Sequence, residues 1–422
     1  MKVQLAYGKH GLPLHIPDEY DCTVLEPAYL NGLPDPEQAV RRSLQKPLAG
    51  LPLRERVKDG QSVGIIFSDI TRPVPNEILL PAILAELDGV PAEAITLYNA
   101  TGTHRPNTAE ELERMLGAAI ARTYRIVQND SNDTASHRSI GAAQTGNDML
   151  IHKGLLEEDA LILTGFIEPH FFAGFSGGGK AVLPGMAHLD SVLRNHNAAN
   201  MDHPKATWGI THGNPVWEEI NEAVELIQPT FLLNVALNKD KHITAVFAGD
   251  VQEAHETGCA FVKETAMVPV EEPFDIVITS NSGYPLDLNL YQAVKGMSAA
   301  AQVIKPGGSI IIAADCWDGI PDHGDFSAIL KQAKSPQQLL ATLRTPGYLR
   351  QDMWQAQILG LIRQKADVYV YSENLSEEQI HDAMLLPSSS VEDTLEALLQ
   401  DHPGARICIL PEGPQTIPYL PA

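Results

Sequence analysis

The sequence predicts an α/β protein of two domains, each a mostly parallel, Rossmann-like sheet flanked by helices. Three observations lead there. Short apolar runs alternate with capped helical stretches, the pattern of a parallel sheet with helices on both faces. The alternation restarts after Glu271-Glu272-Pro273, which reads as a hinge. A chain of 422 residues is also long for a single core. The predicted division is 1–270, then a smaller domain at 271–412, then a tail at 413–422, with the active site in the cleft between the domains.

The elements follow in order. Lys2 to Tyr7 is strand-like and Glu37 to Leu48 reads as a helix. Val63 to Ser68 is a short apolar run of the kind that forms a buried strand. It ends in Ser68-Asp69-Ile70-Thr71-Arg72-Pro73, and Asn76 is a candidate cap for the helix to Leu87. Ile95 to Ala100 is the next strand, ending in Thr101-Gly102-Thr103-His104-Arg105-Pro106. Thr108 and Glu111 have the spacing of a capping box at the start of another helix. Arg125 to Asp130 and Leu161 to Ile167 are further strands. The segment 181–228 shows no clear period, is rich in His, Asn and Pro, and carries Arg194-Asn195-His196-Asn197. Thr230 to Asn238 and Ile243 to Ala248 return to strand character, and Asp250 caps a helix to Ala266. In the second series Phe274 to Ser280, Ser309 to Ala314, Asp367 to Ser372 and Ala405 to Leu410 are strands, and Gln292 to Gly296 lies at or in a helix.

Composition narrows the function. A hydrophobic content of 44% with 20% charged residues is that of a soluble globular protein. The net charge of −23 disfavours a nucleic-acid or anionic-membrane partner. No run is apolar and long enough to span a bilayer, and the N-terminus does not resemble a signal peptide. The four cysteines lie far apart without a CxxC pair, which fits the cytoplasm and gives no zinc or iron–sulfur pattern.

The richest stretch runs from Glu168 to Lys180: an acid, a histidine, aromatics, Ser176, then Gly177-Gly178-Gly179-Lys180. Successive N–H groups in a glycine-rich loop can form an anion nest, and the lysine adds a charge or a nucleophilic amine. Gly174, Gly179 and Lys180 match the start of a P-loop, but Ala181 stands where a magnesium-binding Ser or Thr belongs. A nucleotide-binding or phosphoryl-transfer protein is therefore an alternative of another class. A non-enzymatic binding protein is a weaker one.

In parallel sheets ligands bind beyond the carboxyl ends of the strands. The loops there would gather Asp69, Arg72, His104, His170 and Lys180 on one rim. Arginine grips a carboxylate through two hydrogen bonds, and histidine suits proton transfer near neutral pH. A third histidine could ligate a borderline metal. A lone loop histidine is more often structural, so the cluster counts for more than any member.

The motifs Ser68-Asp69-Ile70-Thr71-Arg72-Pro73, Thr101-Gly102-Thr103-His104-Arg105-Pro106, Glu168-Pro169-His170, Ser176-Gly177-Gly178-Gly179-Lys180, Arg194-Asn195-His196 and Tyr291-Gln292-Ala293-Val294-Lys295-Gly296 resemble, in this order, those of the nickel-pincer lactate racemase family. The resemblance covers nearly the whole chain. It implies an isomerase, a racemase of 2-hydroxy acids with lactate as the default substrate. It implies a nickel-pincer nucleotide, a pyridinium-3-thioamide-5-thiocarboxylic acid mononucleotide carrying nickel. Lys180 matches the lysine joined to it and His196 the nickel ligand. Ser176, Gly177, Gly178, Gly179 and Thr71 would complete the cofactor site. Arg72 and Lys295 would hold the substrate carboxylate, with Asp69, Gln292 and Trp354 also at the substrate. His104 or His170, depending on the enantiomer, would take the hydroxyl proton while the α-hydrogen leaves as hydride, giving a 2-keto acid. Cofactor-synthesis enzymes would be transient partners. Malate or another diacid, a longer or aromatic hydroxy acid, or a sugar acid presents the same carboxylate and hydroxyl. Arg105 and Arg194 are candidates to read a second carboxylate.

Overall fold

The structure, a computed structural model, describes residues 1–321 and 324–421. It divides into two compact units that are not contiguous in sequence. Tyr29–His196 and Pro204–Thr265 form the first, while Met1–Ala28, Asn197–His203 and Ala266–Ala422 form the second.

The first unit is built on a six-stranded sheet in the order Ile243–Gly249, Phe231–Leu237, Ala160–Phe166, Val63–Ser68, Ile95–Ala100, Arg125–Gln128. Five strands are parallel and Ile243–Gly249 is an antiparallel edge. The central strands are buried on both faces, which is why they read as continuous apolar runs. Ile65, Phe67, Leu97, Ile162 and Leu233 are core residues with no exposed surface. Strand order reverses beside Val63–Ser68. Successive strands run outward on one side of it, and Ala160–Phe166 joins on the other. That is a topological switch point, where the loops after neighbouring strands part and leave room for a ligand.

The second unit has a six-stranded, all-parallel sheet in the order Leu386–Pro387, Asp367–Tyr371, Ile304–Ala313, Phe274–Ser280, Ile407–Leu410, Cys22–Val24. Its edge strand comes from the N-terminus: Cys22–Val24 pairs with Ile407–Ile409, so Met1–Ala28 packs with the C-terminal half rather than with the stretch that follows it. Leu5, Leu14 and Ile16 are buried in the same core as Ile278 and Ile409. The segment 413–422, expected as a tail, carries the strand Ile417–Tyr419, which pairs with Met267–Pro269 and buries Ile417 completely. The tail's last residue, 422, lies outside the described residues.

Two local readings change. Asn76 is the first residue of its helix rather than the cap, which is Pro75 with no side-chain bond. The segment 181–228 is not irregular throughout. It contains the helices Leu189–Asn195, Ala198–Met201 and Pro215–Ile227. The last is capped by Asn214, whose side chain accepts from Val216 N and Trp217 N, with proline at the first helical position. The Thr108–Glu111 capping box forms as expected, and Asp250 Oδ1 accepts the backbone N–H groups of Gln252 and Glu253.

Candidate active site

The loop after Val63–Ser68 folds back on itself. Thr71 Oγ1 donates to Asp69 Oδ1 at 2.8 Å, and Arg72 Nη1 donates to Thr71 Oγ1 at 3.0 Å. The Thr71 hydroxyl is thus occupied in holding the acid and the exposed guanidinium together. The other oxygen, Asp69 Oδ2, lies 2.8 Å from His104 Nδ1. Asp69 is 4% exposed and the His104 side chain 45%. Burial alone would raise the Asp69 carboxyl. The hydrogen bond and charge of His104, the charge of Arg72 and the Thr71 hydroxyl outweigh it and hold the carboxyl below its ordinary value. A carboxylate can only accept here, so the neutral His104 ring carries its proton on Nδ1 and turns its Nε2 lone pair outward.

The loop that carries His104 is tied down at three points. Gly102 N donates to Gly185 O, Thr101 Oγ1 donates to the Asn129 carbonyl, and Asn129 Nδ2 donates to Gly102 O and Ala187 O. Its anchors, Gly185 and Ala187, lie just beyond Lys180 in the chain, so the two motifs share one support.

After Ala160–Phe166, the residues Pro169–His170 and Gly174–Phe175 make a tight antiparallel ribbon. Inside it, Ala173 N donates to His170 Nδ1 at 3.2 Å. Two donors thus face this ring, Ala173 N at Nδ1 and the Lys180 amine at Nε2, and the neutral imidazole accepts only one of them at a time. Lys180 Nζ lies 3.5 Å from His170 Nε2 and 5.7 Å from the Phe172 ring centre. Phe172 also meets His170 edge-on at 4.5 Å and His196 at 4.8 Å. One phenyl ring thus gathers His170, Lys180 and His196.

His196 ends the Leu189–Asn195 helix and is 4% exposed. Burial, then the charge of Lys180, pushes its imidazole down to about 3, so the ring is neutral across the physiological range. A neutral imidazole is the form that ligates a metal. Among the described residues, no group of three or more His, Cys, Asp or Glu is arranged to hold a metal. Immediately after His196 the chain passes into Asn197–His203 of the second unit. That segment is held by an Arg344–Asp202 ion pair and by Gln357, which donates to Ala198 O and Asp202 Oδ1.

From Ser176 to Lys180, three of the five backbone N–H groups are taken by the chain itself. Ser176 N donates to Glu168 O, Gly178 N to Asn234 Oδ1 and Lys180 N to Gly177 O. The Ser176 hydroxyl donates to Phe166 O and accepts Glu168 N. The glycines are required by protein on every side. A Cβ on Gly177, Gly178 or Gly179 would lie 2.5–2.6 Å from Asn234, His255 or Val224 atoms. The turn over Gly178–Ala181 is one 3₁₀ turn, not the long helix of a P-loop. Asn234 and His255 were missed in the sequence, where an asparagine inside an apolar strand and a histidine inside a helix carry no local signal.

In the second unit, Gln292 and Lys295 stand three apart, both half-buried, on the helix Leu290–Ala301, which Asn289 caps. The helix approaches its sheet closely: a Cβ on Gly296 would lie 2.2 Å from Ser280 O. Trp354 is 6% exposed and donates from Nε1 to the Tyr291 hydroxyl, one residue before Gln292. Arg105, a candidate reader of a second carboxylate, is committed to both oxygens of Glu111 at 2.7 and 2.8 Å. Arg194 is exposed on the last turn of its helix.

The chain is similar to known proteins along nearly its whole length. Residues 7–209 match the lactate racemase N-terminal domain, and residues 270–417 match the lactate racemase C-terminal domain. The chain belongs to the lactate racemase family. The lactate racemase of Thermoanaerobacterium thermosaccharolyticum is 35% identical over 424 residues, covering 98% of both chains. That of Lactiplantibacillus plantarum is 38% identical over 418 residues, covering 97% of this chain and 98% of that one. The structure of the lactate racemase apoprotein from T. thermosaccharolyticum superimposes with a TM-score of 0.92, covering 99% of this chain and 100% of that one. A crystal structure of a protein from Thermotoga maritima shares the fold at 20% identity, with a TM-score of 0.70 over 93% of this chain and all of that one. The two-domain α/β architecture of parallel-rich sheets is that of the family.

Proposed function

We propose that this protein is a racemase of 2-hydroxy acids, with lactate as its substrate, working with a nickel-pincer nucleotide. The observation that carries the reading is the grouping of His170, Lys180 and His196 around Phe172, with the Asp69–His104 pair on the loops that follow the neighbouring strands at the switch point. The residues fit the cofactor: His196 is a buried neutral ligand, and Lys180 offers an amine for attachment. When bound, the cofactor supplies the exchange of the α-hydrogen as hydride, chemistry no side chain offers.

The chain's own residues do the rest. Arg72, steered by Thr71, grips the substrate carboxylate, and Lys295 adds a second cation. Gln292 and Trp354 orient the substrate. His104 takes the hydroxyl proton at Nε2, while Asp69 holds Nδ1–H and stabilises the imidazolium that forms. His170 takes the base role for the other enantiomer at Nε2, in the neutral tautomer whose proton sits on Nδ1, which requires the 3.2 Å contact from Ala173 N to open. Ser176 and Gly177 to Gly179 serve the cofactor chiefly by fixing Lys180, since Gly178 N and Lys180 N already donate inside the protein. The Arg105–Glu111 pair weighs against a diacid substrate read by Arg105, and the short 3₁₀ turn weighs against a P-loop.

The test is intact mass, nickel content and racemisation of a hydroxy-acid panel, on protein made alongside the family's cofactor-synthesis enzymes. The expected result is an adduct on Lys180, nickel that is lost in His196→Ala, and interconversion of the lactate enantiomers. Neither nickel nor adduct from a competent host would overturn the reading.

A further inference from the structure

The glycines before Lys180 face protein rather than open space, and two buried polar side chains meet them from below. Asn234, in the strand Phe231–Leu237, has no exposed surface. Its Oδ1 accepts Gly178 N at 2.8 Å and its Nδ2 donates to Leu233 O at 3.0 Å, so the amide has a defined direction. His255, in the helix Val251–Ala266, is 5% exposed, and its Nε2 lies 2.9 Å from Ser176 O. A carbonyl only accepts, so Nε2 carries the proton. Burial keeps this imidazole below its ordinary value, against the pull of the Ser176 carbonyl. Asn234 and His255 thus hold both ends of a three-residue arc, Ser176 to Gly178. Their atoms fill the space that side chains on Gly177 and Gly178 would need.

We infer that Asn234 and His255 are positioning residues that clamp the Ser176–Ala181 turn and so aim the Lys180 amine at His170 and Phe172. Neither has a place in the proposed chemistry. Their hydrogen bonds reach the turn through its backbone. Release of either contact lets the turn rise and the half-buried Lys180 amine swing toward solvent. The inference deepens the reading of Lys180 as the attachment residue. Its geometry stands without that reading.

The experiment uses the purified full chain without cofactor, nickel or substrate, so its outcome is independent of whether the racemase reading holds. Lys180 acylation by a small amine-reactive ester is followed by peptide mass spectrometry, with the exposed Lys58 as internal standard. Asn234→Leu and His255→Leu each remove one contact. Each should raise the Lys180 rate relative to Lys58 about fivefold, the population change expected for one net hydrogen bond. Asn234→Asp keeps the acceptor, and His255→Gln places an N–H where Nε2 stood. Both should stay near the wild-type ratio. If the leucine variants do not fold, His255→Asn against His255→Gln decides, because the asparagine amide reaches only the Nδ1 position. Asparagine should then give the faster rate. Folded leucine variants with a wild-type ratio, or equal ratios for asparagine and glutamine, would overturn the clamp.

Discussion

Replacing Asp69 by asparagine tests the base directly. The carboxylate is buried, and its bond to His104 is 2.8 Å, a length typical of a charge-assisted hydrogen bond. Such bonds contribute about 1.5–3 kcal/mol. His104 is 45% exposed, so solvent screens part of the interaction and the lower end applies. A loss of about 1.5–2 kcal/mol in the proton-transfer step is about a 10- to 30-fold fall in kcat. Asparagine does further harm. Its amide N–H can donate to Nδ1, which moves the ring proton to Nε2 and removes the lone pair the hydroxyl needs. Asp69→Ala loses the carboxylate without supplying that competing donor. The expected order is therefore wild type, then Ala, then Asn. The assay is the initial rate of appearance of the opposite lactate enantiomer by chiral chromatography, normalised to nickel content. Variants that both keep more than half of wild-type kcat would refute the argument. Asn faster than Ala would refute its proton-placement step. A stability signature accompanies it. The folded carboxyl lies below its unfolded value near 3.9, so the contribution is full above that pH and drains away as pH falls through the folded value. The melting deficit of Asp69→Ala should be present at neutral pH and vanish in strong acid.

Three further perturbations have outcomes set by the structure. His152, buried against Tyr98 and His137, is pushed down to about 4 by burial and then by His137 and Lys153. Below pH 6.5 the unfolded chain binds a proton there that the folded chain refuses, so stability falls as pH drops toward 4. His152→Gln should spare about 1 kcal/mol of the loss between pH 7.5 and 5, read as a smaller fall in melting temperature. Gly174→Ala would put a Cβ 2.2 Å from the Ile210 backbone carbonyl at a φ of +76°. It should lower the melting temperature and the soluble yield sharply, and a wild-type melt would refute the close approach. Arg105→Ala removes an exposed ion pair with Glu111. It should leave the melting temperature nearly unchanged and the lactate and malate rates in their wild-type ratio. A selective loss on malate would reinstate Arg105 as a second-carboxylate reader.

Much of the first unit was legible because its central strands are buried on both faces and read as apolar runs ending in polar loops. The Asp69–His104 contact follows from two such strands being neighbours in the sheet. The helix Pro215–Ile227 was legible and missed. Asn214-Pro215 is a cap followed by a first-turn proline, and Val216, Ile220, Ala223 and Val224 fall on one face. The histidines and prolines upstream hid that period. The pairing of Cys22–Val24 with Ile407–Leu410 was not legible. Nothing local in a three-residue strand states which of two sheets it joins, and the decision rests on contacts nearly the full chain length away.

The glycine-rich loop shows what spacing alone leaves open. A nest binds an anion only while its N–H groups point at open space. In Ser176 to Lys180, glycine is needed for the opposite reason: Asn234, His255 and the Pro215–Ile227 helix come so close that any side chain would collide. The same composition therefore serves a ligand that approaches the backbone or a protein core that does. Only the fate of each N–H distinguishes them. Here Ser176 N, Gly178 N and Lys180 N all end on oxygen atoms of the chain itself. What the loop holds out is the Lys180 side chain on a base tied to the chain's own oxygen atoms, the rigidity that the proposed attachment of a cofactor there would require.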